Sequence, residues 1–475
     1  MNKLALPNTH FGAEKIKEIL GCTPKKLFFA GIGGVSMCSL AYISYLRGHK
    51  VSGYDRSRTP ATIDLENKGI TVYYENDASH IEDCDAVIYT VAIPHDTPEY
   101  KVALEKGIPC ISRADYLGYL MVGYKNSIGV SGMHGKSTTT SMLEKIFAYA
   151  GEDPTVSCGA LMKDTGCCHR IGGEKNFIFE ACEYMDSFLD FYPTLAVILN
   201  IELDHVDYFH SMSQIEASYG KFAAKTGKNG YAVVNKCDDN VMRAIEGYEG
   251  HVVTFGVQCS DADYSAENIT FDKGLGRFDV VFKGEKLAHV ELAVYGAHSV
   301  CDALAAFAAS HTLGLEPEDI AKGLALYEGA GRRMEHIGKT AKGAMIYSDY
   351  AHHPTEITTT LSAASEMNYD RVFCLFQPHT YSRTKELFDD FVRALSDSSC
   401  SEIVLSKIYS ARETDTLGVS SAMLAEQIRK NGKKATCFED FTDIAAYLRE
   451  AAGENDMILV MGAGDIIAVI EMIKA

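Results

Sequence analysis

Apolar positions along the chain gather in short runs, and most runs are followed by a stretch whose apolar residues recur with helical spacing. Residues 27–34 (LFFAGIGG) read as a strand running into glycines, and 50–55 (KVSGYD) as a second strand ending in an acid. Residues 70–74 and 85–93 read as further strands, and this first block closes near 124–126. A new strand over 127–132 (SIGVSG) leads directly into a helix over 134–150, with strands at 176–181 and 195–201 after it. The polar, glycine-spaced stretch near 261–290 predicts an antiparallel excursion, and 297–315 a helix. From about Arg332, strands at 344–350, 371–376, 402–407 and 457–462 alternate with helices. Such alternation predicts an α/β fold with parallel sheets and right-handed crossovers. The divisions expected are 1–125, 126–328 and 329–475, with no internal repeat and no long linker.

Composition narrows the function. A formal net charge of −19 argues against a nucleic-acid partner, which calls for a basic patch. It does not oppose an anionic nucleotide, because phosphates are held by local N–H groups, a lysine and a metal ion. The chain has 14 cysteines and no paired CxxC array with zinc spacing. The adjacent Cys167 and Cys168 are expected to be reduced thiols in a loop, with a metal or redox role as the lesser alternative. The N-terminal stretch, broken by Pro7, Asn8 and charges, does not read as a signal peptide. Apolar runs of roughly 18 residues are lacking, so membrane insertion is not expected. Many unpaired cysteines without an export signal predict a cytoplasmic protein.

Four segments carry candidate chemistry. Gly132-Met133-His134-Gly135-Lys136-Ser137-Thr138 stands where a strand turns into a helix. Glycines let backbone N–H groups approach phosphate oxygens, and a helix N-terminus favours the negative charge. Lys136 suits outer phosphates and the Ser137 hydroxyl suits Mg²⁺. The general P-loop spacing would need glycine at position 130, which is Val130, so this is a shorter variant. Gly31-Ile32-Gly33-Gly34 with Ser36 approaches a dinucleotide fingerprint, and Asp55 at the end of the next strand suits a ribose hydroxyl. A dinucleotide remains a rival ligand there, as does a plain glycine turn. Glu180 and His205 follow strands at the edge where parallel sheets bind ligands, as metal ligands or, alternatively, as a surface acid and a helix cap. Arg332-Arg333 precede Glu335 at the start of the third block, while Asp349-Tyr350-Ala351-His352-His353 and Gln377-Pro378-His379 with Arg383 follow its strands. Arginine's fork binds two oxygens at once, which fits Arg333 for phosphoryl charge and Arg383 for an amino-acid carboxylate.

Taken together, GIGG (31–34), SGMHGKSTTT (131–140), NIELDHVD (200–207), GRRMEHIG (331–338), DYAHHPTE (349–356) and QPHTYSRT (377–384) resemble the Mur ligase family of peptidoglycan precursor synthesis. The likeness covers nearly the whole chain, and the last two segments are its most specific part. The QPH segment brings it nearest to the branch that joins L-alanine to UDP-N-acetylmuramate. This resemblance implies a Rossmann-like N-terminal module, a P-loop-type central ATPase module and a Rossmann-like C-terminal module. It implies that Gly31, Ile32, Gly33, Gly34 and Asp55 hold the UDP-sugar, and that the loop from Gly132 to Thr138 holds ATP. Glu180 and Ser137 would ligate Mg²⁺, with His205 at a second magnesium site. Arg333 would meet the γ-phosphate, while His352, His379 and Arg383 would lie near the amino acid or the acyl phosphate. Lys136, His205, Arg333 and His352 are the catalytic set so implied, with ATP and Mg²⁺ as cofactors and closing modules that exclude water. Nothing in the residues speaks to oligomeric state.

The chain also departs from the family pattern. Met133 and Ser137 stand where threonines are usual, and Ser299 and Asp302 replace two asparagines of a segment implicated in adenine contact. A carboxylate cannot donate to an adenine ring nitrogen as an amide does, so nucleotide preference is the property at stake. A Mur ligase with another amino acid or sugar, and a non-ligating nucleotide-binding paralogue, are the alternatives. Retention of Lys136, Ser137, Glu180, His205 and Arg333 speaks against the second.

Overall fold

The structure, a computed structural model, describes residues 6–94, 96–205, 208–411, 413–415 and 417–475. The chain forms two compact units. One comprises residues up to 203 with 211–265 and 304–323, and the other 204–210, 266–303 and 324–475.

In the first unit, β1 (Lys26–Ala30), β2 (Lys50–Tyr54), β3 (Thr71–Tyr73), β4 (Ala86–Tyr89) and β5 (Cys110–Ser112) make a parallel sheet in the order β3-β2-β1-β4-β5. Phe28, Ala30, Val87 and Tyr89 are fully or nearly fully buried. Strand order reverses beside β1, so the loop after it opens into the crevice where such sheets take ligands. Ala30 pairs with both Tyr54 and Tyr89, which brings the three strand ends level.

The second parallel sheet is built on β6 (Asn126–Ser131), β7 (Thr155–Met162), β8 (Cys167–Arg170), β9 (Asn176–Glu180), β10 (Leu195–Ile198), β11 (Tyr231–Asn235) and β12 (His251–Val257). Their order is β12-β11-β10-β6-β9-β7-β8. Here β6 is the switch point, with β10 on one side and β9 on the other. Ser131 pairs with Ile198 and Val130 with Glu180, so the loops after all three strands leave the same edge. Cys167 and Cys168 do not lie in a loop: they open β8, an antiparallel partner of β7. The short polar run CCHR lacks an apolar alternation, and only pairing with β7 makes it a strand.

β13 (Tyr264–Asp272) runs across the division between units. In the second unit, β14 (Leu275–Phe282) and β15 (Glu285–Tyr295) form the antiparallel pair expected from the polar stretch. A further sheet holds β16 (Glu335–Lys339), β17 (Met345–Asp349), β18 (Arg371–Phe376), β19 (Glu402–Ser406), β20 (Ala435–Phe438) and β21 (Asp456–Met461). Its order is β16-β17-β21-β18-β19-β20, parallel except for β16. Asp349 and Phe376 both pair with Met461, aligning the ends of β17, β18 and β21. Apolar clusters cover both faces of this sheet, as buried parallel strands require. Among the described residues no helix is long and apolar enough to cross a membrane.

Candidate functional site

In the first unit the candidate phosphate loop, 132–138, lies where β6 gives way to the helix Lys136–Tyr149. Gly132 (φ 145°) and Gly135 (φ 83°) adopt positive φ, which side chains with a Cβ resist. The first turn of that helix presents N–H groups that no intrahelical carbonyl reaches, the usual basis of an anion site. Asn200, just past β10, fastens the loop: its Oδ1 accepts from His134 N at 2.9 Å, and its Nδ2 donates to His134 O at 3.1 Å. Met133 is buried, so this replacement of a family threonine is absorbed into packing.

Lys136 Nζ donates to Gly132 O at 2.5 Å and Met133 O at 3.2 Å, and pairs with the buried Glu183 at 3.2 Å. Burial works against its charge, but Glu183, with Cys182 and Glu180, outweighs it and raises the ammonium pKa. Lys136 is thus a fixed cation. Beneath it, Ser137 Oγ donates to Glu180 Oε2 at 2.8 Å, and Gly159 N donates to the same oxygen at 2.7 Å. A Cβ on Gly159 would stand 2.5 Å from that oxygen, so glycine there leaves room for the carboxylate. Glu180 is therefore no loose surface acid. A hydroxyl beside a carboxylate, both hard oxygen donors, fits Mg²⁺.

The Gly31–Gly34 turn is self-braced. Gly31 N and Ile32 N both donate to Tyr54 O, at 2.8 and 3.0 Å. Asp55 accepts from Gly33 N at 2.9 Å and Ser57 N at 3.2 Å. The Ile32 side chain is fully buried, so this residue offers the crevice its backbone alone. Gly34 starts the helix Val35–Leu46, whose N-terminus faces the end of the turn.

In the second unit the remaining residues meet around Asp204 and Asp349. Arg383 sets its fork on Asp204, with Nη2 at 3.1 Å from Oδ1 and 3.2 Å from Oδ2, both side chains 11% exposed. Burial raises the Asp204 pKa, but the Arg383 charge wins and holds the carboxyl far below its ordinary range. Arg383 Nη1 lies 3.3 Å from His379 Nδ1. Burial, together with the charges of His352 and Arg383, lowers His379 to about 4, so the ring is neutral at pH 7. The His352 and His379 rings are 5.9 Å apart, and His352 Nδ1 contacts Glu356 at 3.1 Å. Asp349 ties two segments together, accepting from Met334 N at 2.7 Å and Ala351 N at 2.8 Å. The Arg333 guanidinium lies 5.3 Å from the Tyr350 ring centre, and Tyr350 in turn packs at 5.4 Å on His352.

His205 follows Asp204 in a left-handed conformation (φ 51°), its N–H on Asp204 Oδ1 at 2.7 Å. It does not cap the next helix; Ser211 does, accepting from Gln214 N at 3.2 Å. Val206 and Asp207 of the same motif lie outside the described residues. Ser299 turns its hydroxyl back onto Tyr295 O at 2.7 Å, and Asp302 is buried.

Asn200, Glu183, Asp204 and Asp349 have no role legible in the sequence. All four stand inside or beside quoted motifs, so the signal was present, but a carboxylate or amide that braces a neighbour has no signature of its own.

A glycine loop between strand and helix, set over a hydroxyl–carboxylate pair at the switch point of a parallel sheet, has the form of a nucleotide-binding α/β protein. Profiles of the Mur ligase family match in series: the catalytic domain at residues 26–125, the middle domain at 130–310 and the glutamate ligase domain at 332–464. The chain belongs to the Mur ligase family. It is 43% identical over 449 residues to the UDP-N-acetylmuramate–L-alanine ligase of Acetivibrio thermocellus, covering 94% of this chain and 95% of the relative. The enzyme of the same name from Lachnospira eligens is 43% identical, over 93% of this chain and 96% of its own. Among solved structures, the UDP-N-acetylmuramate–alanine ligase of Thermotoga maritima superposes with TM-score 0.79 at 26% identity, over 94% and 97% of the two chains. A murein peptide ligase from Psychrobacter arcticus, at 24% identity and TM-score 0.71 over 94% and 98%, shares the fold.

Proposed function

We propose that this chain is an ATP-dependent ligase that joins L-alanine to the lactyl carboxylate of UDP-N-acetylmuramate, a step of peptidoglycan precursor synthesis. The observation that carries the reading is the likeness at 43% identity over 94% of the chain to ligases of that name. The phosphate loop is the geometry that would perform it.

A carboxylate resists amines because its charge repels the attack and its oxygen is a poor leaving group. Transfer of the γ-phosphoryl group of ATP to the lactyl oxygen makes an acyl phosphate, with ADP released. The alanine nitrogen then attacks the acyl carbon, and phosphate departs as the amide forms. In this reading the loop from Gly132 to Thr138 cradles the triphosphate through backbone N–H groups. Lys136, kept charged by Glu183, offsets charge on the transferring group. Ser137 and Glu180 would hold Mg²⁺, which supplies further neutralisation of the phosphates. His205 would serve a second metal, and Arg333 would meet the γ-phosphate. Gly31–Gly34 and Asp55 would take the UDP part. His352, His379 and Arg383 would border the amino acid, with the Arg383 fork given to Asp204 rather than to both substrate oxygens. A cytoplasmic location is part of this reading and rests on the many free cysteines.

The test is phosphate release from ATP in the presence of UDP-N-acetylmuramate, screened over single amino acids. Release with L-alanine alone is the expected result. Release with glycine or L-serine instead would move the chain to another specificity, and no release with any amino acid would overturn the ligase reading. Lys136→Ala is expected to lower release by about a hundred- to a thousandfold, the scale of losing a transition-state charge partner.

A further inference from the structure

Outside the site just described, two thiols stand side by side at the ends of neighbouring strands. β11 and β12 run parallel, with Asn235 opposite Phe255. Cys237 follows β11 and Cys259 follows β12, each by two residues. Gly256 separates them: a Cβ there would lie 2.8 Å from Cys237 Sγ and 3.0 Å from Cys259 Sγ. Both sulfurs thus fill the space that the glycine leaves. Both thiols are free, Cys237 exposed and Cys259 half-buried, unlike the buried Cys38, Cys110, Cys158, Cys374 and Cys400. Cys259 Sγ donates to Asp261 Oδ1 at 3.2 Å, and Lys236 Nζ lies 3.8 Å from the other oxygen of that carboxylate.

The Cys237 segment also bears on the phosphate loop. Asn235 Nδ2 donates to Leu199 O at 3.0 Å and its Oδ1 accepts from Cys237 N at 3.0 Å. Asp238 Oδ2 accepts from Ile201 N at 3.0 Å, and Asn240 Nδ2 donates to Ile201 O at 2.8 Å. Residues 235–240 therefore hold both neighbours of Asn200, the residue that fastens His134.

We propose that Cys237 and Cys259 are a redox modification site, closed into an intramolecular disulfide by a low-molecular-weight disulfide and coupled through Asn235 and Asp238 to the phosphate loop. The exposed Cys237, as thiolate, attacks one sulfur of the small disulfide; a mixed disulfide forms and one small thiolate leaves. Cys259 then loses its proton and attacks the Cys237 sulfur, expelling the second small thiolate. Two protein thiols are oxidised, the small disulfide is reduced to two thiols, and the two protons released by the protein end on them. Drawing Cys237 toward Cys259 moves residues 235–240, and with them the anchor of Asn200.

The full chain, incubated with glutathione disulfide and quenched with acid, is mapped by mass spectrometry without reduction. A linked Cys237–Cys259 peptide is expected, reversed by dithiothreitol. In Cys259→Ser the resolving thiol is gone, and glutathione is expected to stay on Cys237. A wild-type chain that retains glutathione on Cys237, or that links other cysteines instead, would overturn the pair. Coupling to the loop rests on the ligase reading and is measured separately: phosphate release is expected to fall by about tenfold on oxidation, as small displacements of a reacting group do. Cys237→Ser is expected to keep its activity under the same treatment. A disulfide formed with unchanged release, in protein active before treatment, would overturn the coupling while leaving the ligase reading intact.

Discussion

Asp204 shows how one carboxylate organises charges at the residue scale. Its bond to Arg383 is nearly dry, so removing one partner leaves the other charge buried and unsatisfied. Asp204→Ala is expected to lower stability by about 3 kcal/mol, read as a fall in the denaturant midpoint at pH 7. The sign with pH follows from the depressed pKa. Stability from this pair is fully present above the ordinary carboxylate pKa of about 3.9, and is lost as pH falls through that value toward the folded-state pKa. His379 and His169 act in a different window. Both are lowered to about 4 in the fold by burial first, and then by neighbouring cations. The unfolded chain binds protons on these rings near pH 6.5 while the folded chain does not, so stability falls as pH drops from about 6.5 to 4, by roughly 1 kcal/mol or more per ring. Denaturant midpoints at pH 7.5 and 5 test this: equal midpoints would show that these histidines are not held neutral.

At the scale of elements, strand ends do the positioning. Because Ser131 is level with Ile198, and Glu180 with Val130 one residue earlier, the loops after β6, β9 and β10 leave one edge, and Glu180 reaches Ser137. From β7, Cys158 Sγ donates to Ser137 O at 3.6 Å, and Gly159 leaves the space in which the Glu180 carboxylate sits. Gly159→Ala is expected to displace the flexible end of Glu180 at little cost in thermal stability, while phosphate release falls about 10- to 100-fold, as when a residue holding a metal ligand is lost. The Mg²⁺ concentration needed for half-maximal release is expected to rise with it. An unchanged magnesium dependence would detach Glu180 from the metal.

The whole molecule divides its chemistry between two compact units. Ligands that bind only the folded chain stabilise it by mass action, by about 2.7 kcal/mol at a hundred times their dissociation constant. UDP-N-acetylmuramate and Mg·ATP are each expected to raise the melting temperature. Lys136→Ala is expected to lose the shift caused by ATP and keep that caused by the sugar nucleotide, because the Gly31 turn and the phosphate loop lie on different sheets. Loss of both shifts would mean that the substitution disturbs more than the ATP loop.

Sequence alone determined the α/β class, the order of the chemical segments and the place of the phosphate loop. Apolar runs, glycines before helices and short polar motifs are local signals, and local signals survive in one dimension. β5, β7, β8, β11, β12, β16 and β20 were not expected from the sequence: the short or polar runs of β5, β8, β16 and β20 become strands only through pairing, and the apolar runs of β7, β11 and β12 carry no local mark that sets them apart from helix or loop. Cys167 and Cys168 were expected in a loop. Tertiary structure decided which strands end level, that Arg383 faces Asp204 across 179 positions of chain, and that Cys237 meets Cys259 over Gly256. Such contacts depend on register and on the order of strands in a sheet, which no stretch of neighbouring residues encodes.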